Sequence, residues 1–523
     1  MNEYIKRARL FLAQEQIDYL LVNSTNEFLV EYNDLQRNSR YFLTGFSGST
    51  GDALVSKDKV YLFVDGRYHI QADLEVNHED ITVVKLKQNP FIEELVARIP
   101  DNTVLGICSK KVSQYRYSGL QEKLKNKNVK IKTFDFDIIE NKINANSQNL
   151  TEIPLNLSGL SSDEKIEKLS SKLKDNEALL VTNLEELSYI YNLRNFNKEN
   201  SSSIEGKAVI TKNKAVLFKD ENLSQFENYI KSLSDIETIY ADNTSTNVYD
   251  YALLANKAKK SEIKVEKYIK TDAELEHYKD AFKRTDLALT DTREFILNND
   301  NISEADIKKV LEDNFKKYGA VSQSFTSIVA KDANSALAHY SKSSKDEILK
   351  EGSLILIDCG GFFEGGLATD ITRVFVKGKP SELHKKVYTT VLKAFLRAFN
   401  IKEFDCGFDI DYLARYFLKN NSPEGFVFNH GLGHGVGINV HEGPPSLNPM
   451  SPYAFFELDD NMCFTIEPGL YREGFFGVRL ENSCYFKNGK IHSFSNMCYE
   501  ENLIEYSMLT EEEKKWLKEF EVK

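Results

Sequence analysis

The sequence predicts an α/β (α+β) chain in three parts: two related N-terminal α/β domains and a larger C-terminal domain that carries the chemistry. Three observations predict it. The chain has 523 residues, which at roughly 150 residues per domain suggests about three. A pattern of helix, strand and hairpin occurs twice in the first half. Beyond residue 272, helical spacing alternates with paired β-rich runs in which acidic residues interrupt apolar ones.

The elements follow in order. Residues 3–15 have helical spacing and lead into a strand at Tyr19-Leu20-Leu21-Val22-Asn23. Residues 45–51, GFSGSTG, space their glycines three apart rather than as GxGxxG, so they predict a turn and not a phosphate loop. Residues 51–65, GDALVSKDKVYLFVD, read as strand, polar turn, strand. The set recurs as helical 163–174, a strand at 178–182, and GKAVITKNKAVLFKD at 206–220, offset by about 155–159 residues. The polar, Asn-rich stretch 141–160 separates the two copies. A Lys-rich segment at 257–270, read as a solvated face, marks a second boundary near 258–272. The expected domains are therefore 1–145, 146–264 and 265–523. From 272, DAELEHYKDAFKRTDLALTDTREFILNN predicts a long helix. Near the C-terminus, EEEKKWLKEF predicts another helix, with Trp516 anchored in the core.

Composition removes several function classes. There are 67 Lys and Arg against 79 Asp and Glu, a net charge of −12. A chain that coats nucleic acid needs a positive field, so no nucleic-acid partner is expected. The six cysteines are scattered and form no CxxC pair, which excludes a disulfide framework. The N-terminus has no continuous apolar signal core, and no run approaches the length of a membrane span. A cytoplasmic protein with reduced thiols and no membrane segment is the expectation.

The chemistry concentrates late in the chain. Five of the nine histidines lie between 339 and 441, and three of them fall in His430-Gly-Leu-Gly-His434-Gly-Val-Gly-Ile-Asn-Val-His441. Glycines at 431, 433, 435 and 437 would let the backbone approach a ligand closely. Two hairpin-like units flank this stretch. In SLILIDCGGFFEGGLATDITRVFV, Asp358 ends one strand and Asp370 opens the next. In MCFTIEPGLYREGFFGVRLENSCYF, Glu467 ends a strand and Glu481 lies in another. Carboxylates in such apolar strands are costly to bury unpaired. Arg373 and Arg479 would offset two at most. Two divalent cations balance four carboxylates, and His434 adds a nitrogen ligand. This donor set suits Mn, Co, Fe or Zn.

The ordered pattern Asp358…Asp370-Ile-Thr-Arg, His434-Gly-Val-Gly, Glu467-Pro-Gly, Arg479-Leu-Glu481-Asn resembles the pita-bread metallopeptidases, the family that includes methionine aminopeptidase, prolidase and aminopeptidase P. His339 in Ala338-His339-Tyr340 and the run Val440-His441-Glu442-Gly443-Pro444 resemble its proline-specific branch. Asn26-Glu27, residues 41–49 and Asp65-Gly66-Arg67-Tyr68 are similar to the N-terminal half of the large three-domain members, and Ile504-Glu505-Tyr506 looks like a strand closing their catalytic domain.

The resemblance implies two creatinase-type N-terminal domains followed by a pita-bread catalytic domain. It implies a dinuclear centre, with manganese foremost and cobalt, zinc or iron as alternatives. Asp358 and Asp370 would bind one metal, Asp370 and Glu481 would bridge, and His434 and Glu467 would complete the second site. Hydrolysis would proceed by a hydroxide held between the metals. Glu467 would move the proton, and His339 and His441 would hold the substrate carbonyl and oxyanion. His430 would line the proline pocket, and Arg479 would join the substrate-binding set. The implied activity is that of an Xaa-Pro aminopeptidase acting on peptides with a penultimate proline, in a homodimer. The alternatives are a prolidase and a non-catalytic peptide- or histone-binding module. Three features depart from the family pattern. The first two Asp are one residue further apart than usual, Phe362-Phe363 stand where Tyr is common, and the loop from His434 to His441 is shorter than in many relatives. The turn with Gly365-Gly366 must absorb the extra residue, because a one-residue slip in a strand would turn a ligand to the wrong face.

Overall fold

In the computed structural model, residues 2–86, 90–140 and 148–523 are described. The first part of the predicted domain boundary, 141–147, lies outside the described residues. The chain forms two compact units: residues 1–148, 162–191 and 204–265 make the first, and residues 149–161, 192–203 and 266–523 the second.

The first unit holds two sheets, and the sequence repeat is visible in their order. The first sheet runs Ile81–Lys85, Val60–Val64, Asp52–Ser56, Tyr19–Val22, Val104–Cys108, Lys130–Phe134. The second runs Ala215–Phe218, Lys207–Thr211, Glu177–Val181, Thr238–Ala241, Ala258–Lys260. In both, a hairpin pairs antiparallel to a central strand whose other edge pairs in parallel. Alternate residues of the first sheet serve separate cores: Leu20 and Val22 join one, Leu21 and Leu54 the other. The 45–51 segment is a turn, as predicted. Its Phe46 and Gly48 carbonyls accept from the fully buried Arg40 guanidinium.

The second unit is built on an antiparallel sheet in the order Ile328–Lys331, Leu354–Cys359, Ile371–Val376, Glu481–Lys487, Cys463–Ile466. Helix pairs cover both faces, because alternate side chains of a strand point to opposite sides. Leu354, Leu356, Val374 and Val376 pack with Val387, Val391, Phe395 and Ala414 of the helices Glu382–Phe399 and Gly407–Asn421. Ile355, Ile357, Ile371 and Phe375 pack with Ala281, Ala288, Ile307 and Leu311 of the helices Asp272–Asn298 and Glu304–Lys317. A Thr271–Glu274 capping box starts the long helix. Trp516 packs at the edge of the first of these cores, as predicted.

The hairpin carrying the two Asp keeps one register throughout. Asp358 pairs with Thr372, and the bridge Phe362–Ala368 continues the same alignment to the tip. The extra residue is therefore confined to 363–367, where Gly366 has φ 64°. No slip reaches the strands, and Asp358 and Asp370 stay on one face. Phe362 and Phe363 are fully buried there. The segment 192–203 grips this turn. The Arg194 Nε donates to the Gly366 carbonyl at 3.2 Å, and the Ser202 hydroxyl lies 2.7 Å from it.

Two local expectations fail. Residues 504–506 are not a strand: Ile504 and Glu505 link two short 3₁₀ turns, Glu501–Leu503 and Tyr506–Met508. Leu503 and Ile504 are drawn into the core, and the Glu505 N–H is taken by Thr389 Oγ1. In the Lys-rich segment, Lys259, Lys260 and Lys264 are exposed, but Lys267 and Lys270 are buried. Among the described residues, no helix is long and apolar enough to cross a membrane.

Candidate metal centre

The sheet register assembles the acidic side chains. Asp358, Thr372 and Glu481 face one another across three adjacent strands. Asp370 precedes Thr372 by two residues and so shares its face. Glu467 directly follows the strand Cys463–Ile466, the neighbour of Glu481–Lys487. His434 comes from the Gly-rich loop, where a two-residue strand pairs it with Ser446. Potential ligand atoms of Asp370, His434 and Glu481 all lie within 4.8 Å of one another. The His434 Nε2 is 3.6 Å from Asp370 Oδ2 and 3.5 Å from Glu467 Oε1. All five residues predicted as metal ligands thus lie in one locality.

Negative charge dominates it. Burial raises Asp370 well above the usual carboxylate range, and Glu481, Asp358 and Glu467 push it further. Glu481 is pushed up to about 8, by burial first and then by Asp358. Asp358 is also raised by burial, against the pull of Arg479. The guanidinium of Arg479 reaches Asp358 Oδ2 at 2.5 Å and comes within 3.9 Å of Glu467. Arg373 makes no ion pair with these carboxylates, although its charge lowers Glu481. It is fully buried, and its donors go to the Cys498, Thr372, Glu481 and Met497 carbonyls and to Asn482 Oδ1.

The residues fit divalent cations. Asp358 Oδ1 and Glu481 Oε1 are buried with no hydrogen-bond partner, which is costly unless something else satisfies them. The His434 Nδ1 lies 3.1 Å from the Gly435 carbonyl. That contact needs the ring proton on Nδ1, so the Nε2 lone pair faces the carboxylates, as ligation requires. Four carboxylates and one imidazole make a hard to borderline donor set.

Two hydroxyls to which the sequence assigned no role hold these side chains in place. The Thr372 hydroxyl donates to Glu481 Oε2 at 2.6 Å and accepts from Arg479 Nε at 3.1 Å. The Tyr471 OH accepts from Arg479 Nη1 at 2.8 Å and lies 2.8 Å from His430 Nε2. The other His430 nitrogen faces the Gly431 carbonyl at 2.7 Å, so in the neutral ring Tyr471 donates to Nε2. Thr372 lies in the Asp370-Ile-Thr-Arg motif with no role assigned to it, and Tyr471 was hidden because an isolated hydroxyl in a strand has no spacing signature. Arg479, expected to bind substrate, is 3% exposed and donates to Asp358, Tyr471, Thr372 and the Ala338 carbonyl. This geometry puts it behind the carboxylates. His339 adjoins that carbonyl in sequence and is half-buried. The His441 ring is 4.3 Å from the His434 ring, edge to face. The space beside the four loop glycines, read as room for a ligand, is taken by Asn448, Thr465 and Glu442.

Residues 276–488 match the model of metallopeptidase family M24. Residues 5–139 and 141–330 match two models of the Creatinase/Prolidase N-terminal domain. The stretch 276–488 is thus similar to the metallopeptidases of family M24. The chain is similar over 99% of its length, at 28% identity, to Xaa-Pro aminopeptidase 1 of Dictyostelium discoideum, of which 92% is covered. Its fold is similar to that of an X-prolyl aminopeptidase of Caenorhabditis elegans, described as a cytosolic enzyme with a di-nuclear active site. The TM-score is 0.90 at 22% identity, covering 99% of this chain and 94% of that one. A dipeptidase of Pyrococcus horikoshii shares the fold over 65% of this chain and 99% of its own, with a TM-score of 0.52 at 21% identity.

Proposed function

We propose that this chain is an Xaa-Pro aminopeptidase, releasing the N-terminal residue from peptides whose second residue is proline. The observation that carries the reading is the convergence of Asp358, Asp370, His434, Glu467 and Glu481, with two of their buried oxygens unsatisfied. Full-length similarity to the Dictyostelium protein supports the substrate class.

Those five side chains would hold two divalent ions, with manganese the first candidate. The ions supply Lewis acidity and a water of lowered pKa. The protein's own residues do the rest. An Xaa-Pro bond is a tertiary amide without N–H, so its nitrogen must gain a proton to leave. Glu467, beside His434, accepts and returns that proton. His339 and His441 hold the substrate carbonyl and stabilise the charge that develops on its oxygen. His430, oriented by Tyr471, lines the proline side of the pocket. Arg479 holds Asp358 in place. The pocket accepts one isomer of the Xaa-Pro bond, because both are populated in free peptides.

The reading extends to organisation. The division 1–145, 146–264 and 265–523 is supported by the repeated strand order of the two N-terminal sheets. A cytoplasmic location is supported by six buried, unpaired cysteines. A homodimer is supported by an exposed aromatic row on the helix Gly407–Asn421, where Tyr412 and Tyr416 stack and Phe455 covers Phe408.

Reconstitution of apo-protein with Mn²⁺ tests the activity. Xaa-Pro-Xaa tripeptides should be cleaved, and Xaa-Ala-Xaa controls should not. Turnover of Xaa-Pro dipeptides alone would replace the reading with a prolidase. Glu467→Gln should abolish turnover with the fold intact by circular dichroism, and a near-normal rate would remove Glu467 from its role.

A further inference from the structure

The residue after His441 is a fully buried carboxylate that the chemistry above does not use. The Glu442 side chain is 1% exposed. Its Oε1 lies 2.9 Å from Lys270 Nζ and 3.8 Å from Lys267 Nζ, and those side chains are 2% and 6% exposed. Its Oε2 accepts the Ile438 N–H at 2.7 Å. One carboxylate thus ties the Gly-rich loop to the two lysines that the sequence had suggested were solvated. The clamp extends further. Lys267 Nζ donates to the Gly443 carbonyl at 3.2 Å, and Lys270 Nζ donates to the Lys267 carbonyl at 2.6 Å.

The loop is shaped around this group. A Cβ on Gly437 would lie 2.1 Å from Glu442 Oε1, and one on Gly435 would lie 2.0 Å from the Glu442 carbonyl. The Glu442 N–H donates to the Gly435 carbonyl at 2.8 Å. Gly435 adjoins His434, and Glu442 adjoins His441, so the same contacts set how the two imidazoles meet at 4.3 Å. Burial alone would raise Glu442. Lys267 and Lys270 overcome that and hold it at about 2, so it stays ionised at any working pH. A charged group this well paired fixes geometry, because moving it would strand a buried charge.

We propose that Glu442, locked to Lys270, is a positioning residue that holds the His441 imidazole against the metal centre. This rests on the peptidase reading for its kinetic consequence, and on the loop geometry alone for its structural one.

Kinetics and histidine NMR test it together. Glu442→Gln keeps the size but sets an amide against an ammonium, and Lys270→Met removes the partner. Each should lower kcat on an Xaa-Pro-Xaa peptide by on the order of a hundredfold, the scale of a misplaced catalytic group. KM should change less, and metal content should be unchanged. The Glu442→Gln/His441→Ala double variant should be no slower than His441→Ala alone, because one residue acts through the other. The His441 ring signal, assigned by its loss in His441→Ala, should shift in both pair variants of the metal-free protein. Multiplicative losses, an unmoved His441 signal, or a wild-type kcat in the folded variants would each overturn the proposal. So would failure of both variants to fold, which would make the pair a stability element only. If the wild type cleaves no Xaa-Pro peptide, the functional reading falls, and the His441 signal still decides the positioning.

Discussion

Two sets of buried carboxylates in the C-terminal unit follow opposite rules. Asp358, Asp370, Glu467 and Glu481 share the guanidinium of Arg479, and two of their buried oxygens have no partner. Glu442 stands alone between two ammonium groups, with both oxygens engaged. Burial disfavours charge in both places. In the first set neighbouring carboxylates add to that effect, and in the second the lysines more than cancel it. The difference separates recruiting from holding. Unbalanced buried charge calls in cations, while balanced buried charge fixes a loop.

The sharpest way to break the contrast is to remove a recruiting carboxylate. Asp370→Asn should lower the metal content per chain and cut turnover. Lost Lewis-acid stabilisation of several kcal/mol corresponds to on the order of a thousandfold in rate. Elemental analysis beside kcat checks this, and unchanged metal content would take Asp370 out of the centre.

Acid–base linkage should separate the two sets next. Asp370 and Glu481 have raised folded pKa values, so the apo-protein binds more protons folded than unfolded. Their contribution to stability is full below about pH 4 and is lost as pH rises through the folded values, about 8 for Glu481. Thermal midpoints of apo-protein should fall over that window, and Mn²⁺ should raise the midpoint more at pH 8 than at pH 5. Equal metal stabilisation at both would contradict the assignment.

Glu442 should behave in the opposite sense. Its folded pKa is lowered to about 2, so its contribution is present above about pH 4.5 and is lost as pH falls toward 2. A shift of that size is worth on the order of 3 kcal/mol. The gap in urea midpoint between wild type and Glu442→Gln should therefore close on acidification. A gap that widened would show that the lysines do not hold this carboxylate.

The smallest effect concerns the turn between the first two Asp. At Gly366, φ is 64° and an added Cβ would lie 2.6 Å from the Arg194 side chain. Gly366→Ala should cost about 1–2 kcal/mol in stability, from the left-handed conformation. Metal content should stay normal, because the strand register is set before the turn. Lost metal would mean that the turn does control the register.

Much of the fold and of the site is legible in the sequence. The alternation of Leu354–Cys359 and Ile371–Val376, interrupted by Asp358 and Asp370, marks paired strands with a site at one end. The duplicated hairpins appear as equivalent strands in two sheets. Ile504-Glu505-Tyr506 was expected as a strand by resemblance alone, and three residues do not reveal whether a strand partner is in reach. Lys267 and Lys270 misled because lysines in a charged run usually point to water. Thr372 stands in the Asp370-Ile-Thr-Arg motif without its role being legible there, and Tyr471 carries no sequence signal.

By itself the sequence determined which side chains are available to a metal and which strand ends carry them. Those features follow from a period of two and from short turns, and both are local. The tertiary structure alone decided which charges are paired. It turned Arg479 toward Asp358, turned Arg373 toward carbonyls, and brought Lys267 and Lys270 under Glu442, some 172–175 residues away in the chain. Pairing depends on distances of a few ångströms in a medium of low polarity, where electrostatic interactions are strongest. Spacing along the chain does not carry that information.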